Sequence, residues 1–395
     1  MLNISAEEEA FFNATSAGIV NNSALDIPPY EERPETYYVP VLFAIIFLVG
    51  VVGNGTVVII FIRHKKMRSV PNTYIFSLAI GDLLVIISCV PFTSIIYTVP
   101  SWPFGEIVCK LSETSKDISI GVSVFTLTAL SAERFFAIVD PIRKQLSYLG
   151  VRGATRVALA IWGLAIFFSL PAAFGAYVRE VRENDTSIVI CYPFPEEYGI
   201  GYAKGVILAR FLIHYTVPLS IIAFFYIMIA RHLIISTKNI PGGLQPHQAR
   251  QIKGRKKVAK TVLAFVIIFA VCFFPNHVFF LWFYWFSKNP EQNYNAFWHH
   301  LRIVGFCLTF VNSCINPIAL YCVTGTFRKH FDRYLFCCWK HTAVHRGRSS
   351  QRRHTGTRKW DSTTLHLHHS TVRRPGNTAE CTVTTFMNGG VTDNM

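Results

Sequence analysis

Apolar residues run in long blocks along most of the chain, and polar residues gather between them. Seven blocks stand out, at roughly 38–63, 72–99, 108–139, 156–177, 205–232, 258–286 and 300–323. A helix rises about 1.5 Å per residue, so each block can cross a hydrocarbon core about 30 Å thick. The pattern predicts an all-α fold, a seven-transmembrane helix bundle. The third block is its centre. It is uncharged between Asp117 and Glu133, with Glu113, Lys116 and Asp117 at one end and the Glu133–Arg134 pair at the other. After the seventh block, from Phe327 to Phe336, Phe and Leu recur at helical spacing against basic residues. That spacing predicts a short amphipathic eighth helix lying on the membrane surface. Cys337 and Cys338 follow at once, placed for palmitoylation.

The connectors sort by charge. Arg63 to Arg68, Arg143 to Arg156 and Arg250 to Lys260 are basic, whereas 102–106, 178–203 and 288–291 carry Glu and Asp. The positive-inside rule puts the basic set in the cytoplasm and the N-terminus outside. N-x-S/T sequons at Asn3, Asn13, Asn21 and Asn184 fall on the outer side of that topology, as glycosylation requires. The expected organisation is a disordered extracellular N-terminus over 1–37, a bundle over 38–323, a surface helix over 324–338 and a disordered cytoplasmic tail over 339–395. Acidic residues and Pro28-Pro29 mark the first segment; it has no apolar core of a cleavable signal.

Composition agrees with a polytopic membrane protein: of 395 residues, 51% are hydrophobic and 15% charged, with mean hydropathy +0.34. A net charge of +15 would suit nucleic acid, but the basic residues sit in inter-helix runs and the tail, so no nucleic-acid partner is expected. Ten cysteines lack metal-ligand spacing. Cys109 and Cys191 are the two placed on the outer, oxidising side.

Polar groups inside the bilayer need an account. Asp82, Asn54, Ser123, Asn312, Ser313 and Asn316 read either as a network joining the helices or as a cation site, one carboxylate with hydroxyl and amide oxygens. Pro218, Pro275 and Pro317 interrupt the last three helices and suggest bending. Glu133–Arg134 taken alone reads as interfacial anchoring.

Taken together these residues resemble the rhodopsin-like (class A) G-protein-coupled receptors. The matches are Gly53-Asn54, Leu78-Ala79-x-x-Asp82, Glu133-Arg134-Phe135, Trp162, Pro218 with Tyr226, Cys272-Phe273-Phe274-Pro275 and Asn316-Pro317-x-x-Tyr321. Stretches 121–128, 275–278, 312–317 and 327–329 are similar to the bombesin/gastrin-releasing-peptide receptor group and its arthropod relatives, the CCHamide neuropeptide receptors. The resemblance implies a Cys109–Cys191 disulfide and an allosteric Na⁺ at Asp82, Ser123, Asn312 and Asn316, with no other cofactor or metal. It assigns activation and G-protein coupling to Glu133, Arg134, Tyr226, Phe269, Phe273, Pro275, Pro317 and Tyr321, with Tyr226 and Tyr321 moving in to support Arg134. Three departures stand out: Phe273 replaces a tryptophan, Phe135 a tyrosine, and Arg255 an acidic partner for the motif arginine.

Lys116 occupies the position of the amine-anchoring aspartate, and Phe310 that of the opsin lysine, which disfavours monoamine and retinal ligands. Asp117, one residue on, is expected to point about 100° away from Lys116. Glu113, Lys116, Asp117, Arg210, His277, Phe280 and Arg302 are the expected ligand residues, suited to an extracellular amidated peptide; His299, His300, Trp282, Trp285 and Trp298 lie at the same end. The expected function is a plasma-membrane neuropeptide receptor acting through a heterotrimeric G protein of the Gq type with calcium release. Receptor kinase and arrestin would meet the Ser/Thr-rich tail, and membrane lipid the surface helix. A transporter would need internal repeats, a channel a selectivity filter, and an enzyme a paired catalytic constellation in the membrane; none is found in the sequence.

Overall fold

In the computed structural model the described residues are 32–99, 101–139, 150–183, 186–238 and 246–335; the side chains of 97, 181–186, 236–258 and 291 lie outside the description. Asn3, Asn13, Asn21, Asn184, Cys337, Cys338 and the side chain of Arg255 therefore lie outside it, as do most of the N-terminal segment and the tail.

Among the described residues, seven helices are long and apolar enough to cross a membrane. They are α1 (Glu35–Arg63), α2 (Val70–Ser88), α3 (Gly105–Val139), α4 (Gly150–Gly175), α5 (Gly199–Phe211 continuing as Val217–Lys238), α6 (Pro246–Leu281) and α7 (Ala296–Val323). Most extend beyond the apolar blocks, because helical hydrogen bonding continues through the polar residues at their ends. α1 begins at Glu35, two residues ahead of the expected boundary at 37, with an acidic residue in the first turn where the helix dipole favours it.

Central α3 packs against α2, α4, α5 and α6. Its Val124, Leu127 and Leu130 join Val57, Phe265, Phe269 and Phe273 in the main apolar core. Phe167, Ile227 and Ile267 point outward and stay exposed, an arrangement that lipid satisfies and water does not. Pro91 cuts α2 short: beyond Cys89 the chain continues as a single turn, Val90–Thr93, and a 3₁₀ turn, Ser94–Tyr97. The expected interruptions differ in kind. α6 and α7 run through Pro275 and Pro317 as continuous helices, as α1 and α4 do through Pro40 and Pro171. Pro218 instead follows a π-helical turn at Leu212–Thr216, where the Val217 amide donates to the Leu212 carbonyl. Proline has no amide to donate and its ring crowds the carbonyl four residues back, so the helix widens just ahead of it. A second wide turn, Trp282–Phe286, ends α6. Beside Pro275, a Cβ on Gly305 would lie 2.8 Å from the Asn276 nitrogen; glycine is what lets α7 approach the α6 backbone.

The connection after α4 is not helical. Tyr177–Glu183 (β1) and Thr186–Tyr192 (β2) form an antiparallel hairpin with Val178 opposite Cys191. A disulfide joins Cys191 to Cys109 on α3. The Trp102 amide donates to the Val189 carbonyl at 2.6 Å, and the Val189 amide to Ser101 Oγ at 3.0 Å, so α3 and the stretch just before it both fix the hairpin.

The eighth helix, α8 (Gly325–Leu335), follows α7 after one residue. Its Phe327 and Phe331 are buried in the main core with Val57 and Leu320. The apolar stripe expected to face lipid is thus largely taken up by the bundle.

Candidate functional site

On α3 the residues Glu113, Lys116, Asp117 and Ile120 fall three, four and seven apart, one stripe of a helix. All four line a cavity of about 260 Å³ at the hairpin end of the bundle. Arg210, His277, Phe280 and Arg302 line it from α5, α6 and α7, so the seven side chains singled out as ligand residues surround one space. The turn of about 100° between Lys116 and Asp117 does not separate them, because the cavity is wide enough to be faced by both. The hairpin supplies Cys191 and Tyr192, and Pro193 and Phe194 follow on the same wall.

Two ion pairs organise the charge. Lys116 Nζ lies 2.6 Å from Glu113 Oε1, one turn back on the same helix. Arg210 Nη2 lies 2.6 Å from Asp117 Oδ2 and joins α5 to α3; its guanidinium also stands 5.8 Å over the Phe194 ring. Asp117 is 3% exposed.

Phe273 and Thr309 also line this cavity. The Phe273 ring centroid is 4.5 Å from that of Phe269, one turn earlier in α6. Tyr215 Oη donates to the Ala270 carbonyl at 3.1 Å, which fastens α5 to α6 just before Pro275.

Among the lining residues that the sequence did not single out, His214 is a buried imidazole. His214, in the wide turn of α5, is 3% exposed and packs against Phe125 and Phe168. A Cβ at Gly121 would stand 3.0 Å from that of Ala165 and 3.6 Å from His214 Nε2, so the missing side chain makes the seat for the imidazole. Neither His214 Nε2 nor His277 Nε2 has a hydrogen-bond partner among the described residues. A lone His in an apolar block was the available signal.

Trp282, Trp285, Trp298, His299 and His300, at the same end, do not line the cavity. The Trp282 and Trp298 rings stack at 3.8 Å. His299 Nε2 lies 2.9 Å from Glu35 Oε1 and its Nδ1 3.3 Å from Tyr294 Oη, tying α7 to the start of α1. Tyr177, on the hairpin, has its phenol pushed up by burial and by the Glu196 carboxylate, so it stays protonated.

At mid-bundle Asp82 is fully buried, and its Oδ2 accepts from Asn316 Nδ2 at 2.9 Å. Asp82 Oδ1 and Ser123 Oγ have no partner among the described residues. Asn54 Nδ2 donates to the Ser313 carbonyl at 2.8 Å. A void of about 10 Å³ touches Asn54, Asp82 and Asn316 but not Ser123 or Asn312.

The far end is held by local contacts. Arg134 is paired with the adjacent Glu133 carboxylate. Tyr226 Oη donates to the Ala259 carbonyl at 2.8 Å, and Tyr321 Oη to Asp332 Oδ1 of α8 at 3.1 Å. Neither tyrosine hydrogen-bonds Arg134 here, so the convergence implied by the resemblance is not the state described.

Residues 53–321 match the family described as 7 transmembrane receptor (rhodopsin family). The neuropeptide CCHamide-1 receptor of Drosophila melanogaster is 52% identical over 375 residues, covering 92% of this chain and 74% of that protein. The [Phe13]-bombesin receptor of Bombina orientalis is 39% identical, covering 76% of each chain. Bombesin receptor subtype-3 of Ovis aries is 38% identical, covering 75% of this chain and 74% of its own length.

Proposed function

From its membership of the rhodopsin family of seven-transmembrane receptors, we propose that this chain takes an extracellular CCHamide-like peptide into the charged cavity and passes the event to a heterotrimeric G protein. Members of this family sit in the plasma membrane as multi-pass proteins and work by coupling; no bond is made or broken. The observation that carries the peptide reading is the pairing of a cavity lined by two ion pairs and many aromatic rings with 52% identity to a CCHamide receptor. A cavity of paired charges suits a ligand that brings both signs or a polar terminus, such as an amidated peptide end.

Coupling follows from what the ligand can touch. A peptide end reaching Phe273 meets α6 two residues before Pro275, where the missing backbone hydrogen bond makes bending cheap. A group that competes for Asp117 or Arg210 alters the tie between α3 and α5. At the other end Arg134, Tyr226 and Tyr321 are each held by a separate partner, the arrangement of a closed state. An agonist shifts that state only by the difference in its affinity for the open one. The basic connectors orient the N-terminus outward and the tail inward. Gq with calcium release, and receptor kinase and arrestin acting on the tail, complete the reading by resemblance. Buried Asp82 and Ser123 offer oxygens of the kind a small hard cation takes, which supports an allosteric Na⁺ that holds the closed state.

The test is intracellular calcium in cells expressing the chain, challenged with CCHamide peptides and with bombesin. A response to CCHamides at concentrations of about 1–10 nM, corresponding to about −12 kcal/mol of binding, and absent from untransfected cells, is expected. Silence to CCHamides with surface expression verified overturns the ligand; a response to bombesin alone moves it to that branch.

A further inference from the structure

α7 begins with a cap. Asn295 stands in extended backbone at the N-cap, and its Oδ1 accepts from the Trp298 amide at 3.3 Å. A cap of this kind brings the residue before it against the fourth residue of the helix, usually as an apolar pair. Here the two are Tyr294 and His299, and they meet through polar atoms, with Tyr294 Oη 3.3 Å from His299 Nδ1. The other ring nitrogen, Nε2, lies 2.9 Å from Glu35 Oε1 in the first turn of α1. Tyr294 is 4% exposed and is seated among Phe279, Phe283 and Tyr284. All four line the cavity and His299 does not, so His299 reaches the cavity through the phenol.

The partners fix where the protons lie. A carboxylate can only accept, so Nε2 carries a hydrogen toward Glu35. In the neutral ring Nδ1 is then bare, and the Tyr294 hydroxyl donates to it. A second proton, taken from the outer water, goes to Nδ1 and reverses that bond. Nδ1–H now donates, Tyr294 Oη accepts, and the phenol hydrogen is released for another acceptor. The charges facing the ring are mixed. Glu35 on α1 favours the imidazolium, whereas Arg302 and His300 on α7 oppose it; Arg33 and Tyr38 in turn face Glu35. Imidazole is the side chain that changes charge between about pH 5 and 8. The His299 side chain is 21% exposed at the outer end, open to that proton, while Glu35 at 7% is shielded.

We propose that His299 is a positioning residue whose protonation decides which half of a hydrogen bond Tyr294 offers to a ligand in the cavity, so that lower outside pH favours a peptide bringing a carbonyl or carboxylate oxygen to this wall. A neutral His299 leaves Tyr294 with lone pairs to present, and these repel such an oxygen. The imidazolium leaves Tyr294 a donor. The ligand half of the proposal rests on the peptide-receptor reading above; the Tyr294 half does not.

The direct experiment needs no ligand. The purified full-length chain carries an isotope label at the tyrosine Cζ carbon, and the Tyr294 resonance is assigned by its loss in Tyr294→Phe. Its chemical shift should move between about pH 5.5 and 8 in the natural chain and stay fixed in His299→Gln. Calcium responses to a CCHamide peptide, in cells bathed at the two ends of that range, supply the second readout. Potency should rise at least about five-fold at the acid end, and the gain should vanish in His299→Gln and in Tyr294→Phe. Using one peptide throughout cancels any protonation of the peptide itself. A Tyr294 resonance that ignores pH overturns the proposal. So does a pH gain that survives in either variant, or a loss of potency in His299→Gln that leaves the gain intact, which would make His299 only a strap between α7 and α1. Silence to the peptide at every pH strikes the peptide reading instead, and the resonance still decides the role of His299. Should His299→Gln fail to fold, the pH profiles of the natural chain and Tyr294→Phe give the same answer.

Discussion

The two ion pairs in the cavity have the same N···O separation and different duties. Lys116–Glu113 closes within one turn of α3. It sets where charge lies, but no helix moves if it breaks. Arg210–Asp117 spans α3 and α5, so its geometry depends on how those helices sit, and anything that competes for either partner acts on the bundle. Local pairs position charge; bridging pairs report on structure.

The sharpest way to break that contrast is Asp117→Ala. It strands a mostly buried guanidinium, a loss of about 3–5 kcal/mol for a buried pair deprived of one member. The expected outcome is a fall in surface expression, or a rise of about 100-fold in the peptide concentration for half-maximal calcium. Exchanging the partners (Asp117→Arg with Arg210→Asp) should recover part of the loss, and no recovery would mean that the pair is not a bridge. Next in size, Lys116→Ala should raise the half-maximal concentration about ten-fold with normal surface expression. Arg302→Ala, on the same cavity wall, should act alike, and unchanged potency in the Lys116, Arg210 and Arg302 alanine variants together would remove the cavity as the peptide site. Smallest is Arg255→Glu. It introduces at the cytoplasmic end the acidic partner for Arg134 that related receptors have, and should lower ligand-free inositol phosphate signalling about two- to three-fold, roughly 0.5 kcal/mol at RT of about 0.6 kcal/mol. Equal basal signalling would show that a bridge at that end adds no brake.

Hydropathy made the seven spans legible, because lipid rewards apolar side chains on every face over about 20 residues, and the helical spacing of Phe and Leu against basic residues did the same for the eighth helix. The helix ends were misplaced by several residues, as with α1 at Glu35 and α3 at Gly105, since polar residues extend a helix without an apolar signal. The hairpin escaped notice: β1 reads Tyr-Val-Arg-Glu-Val-Arg-Glu, too short and too charged to stand out, and its partners lie at Trp102 and Cys109. Cavity charges were legible from their positions along the third block. Which charge pairs with which was not, because Asp117 and Arg210 are 93 residues apart, and Glu35 and His299 are 264 apart.

The wide turn at Leu212–Thr216 makes the upper half of α5 sensitive to the count of its residues more than to their identity. Arg210 lies on one side of that turn, and Tyr215, within it, grips the Ala270 carbonyl. Deleting one residue between 212 and 216 would restore ordinary helical winding and rotate everything above by about 100°, carrying Arg210 away from Asp117. Point substitutions at Leu212 or Thr216 keep the phase and should be tolerated. In receptors built on this plan, an insertion or deletion here reassigns which α5 residues a ligand meets without changing any of them.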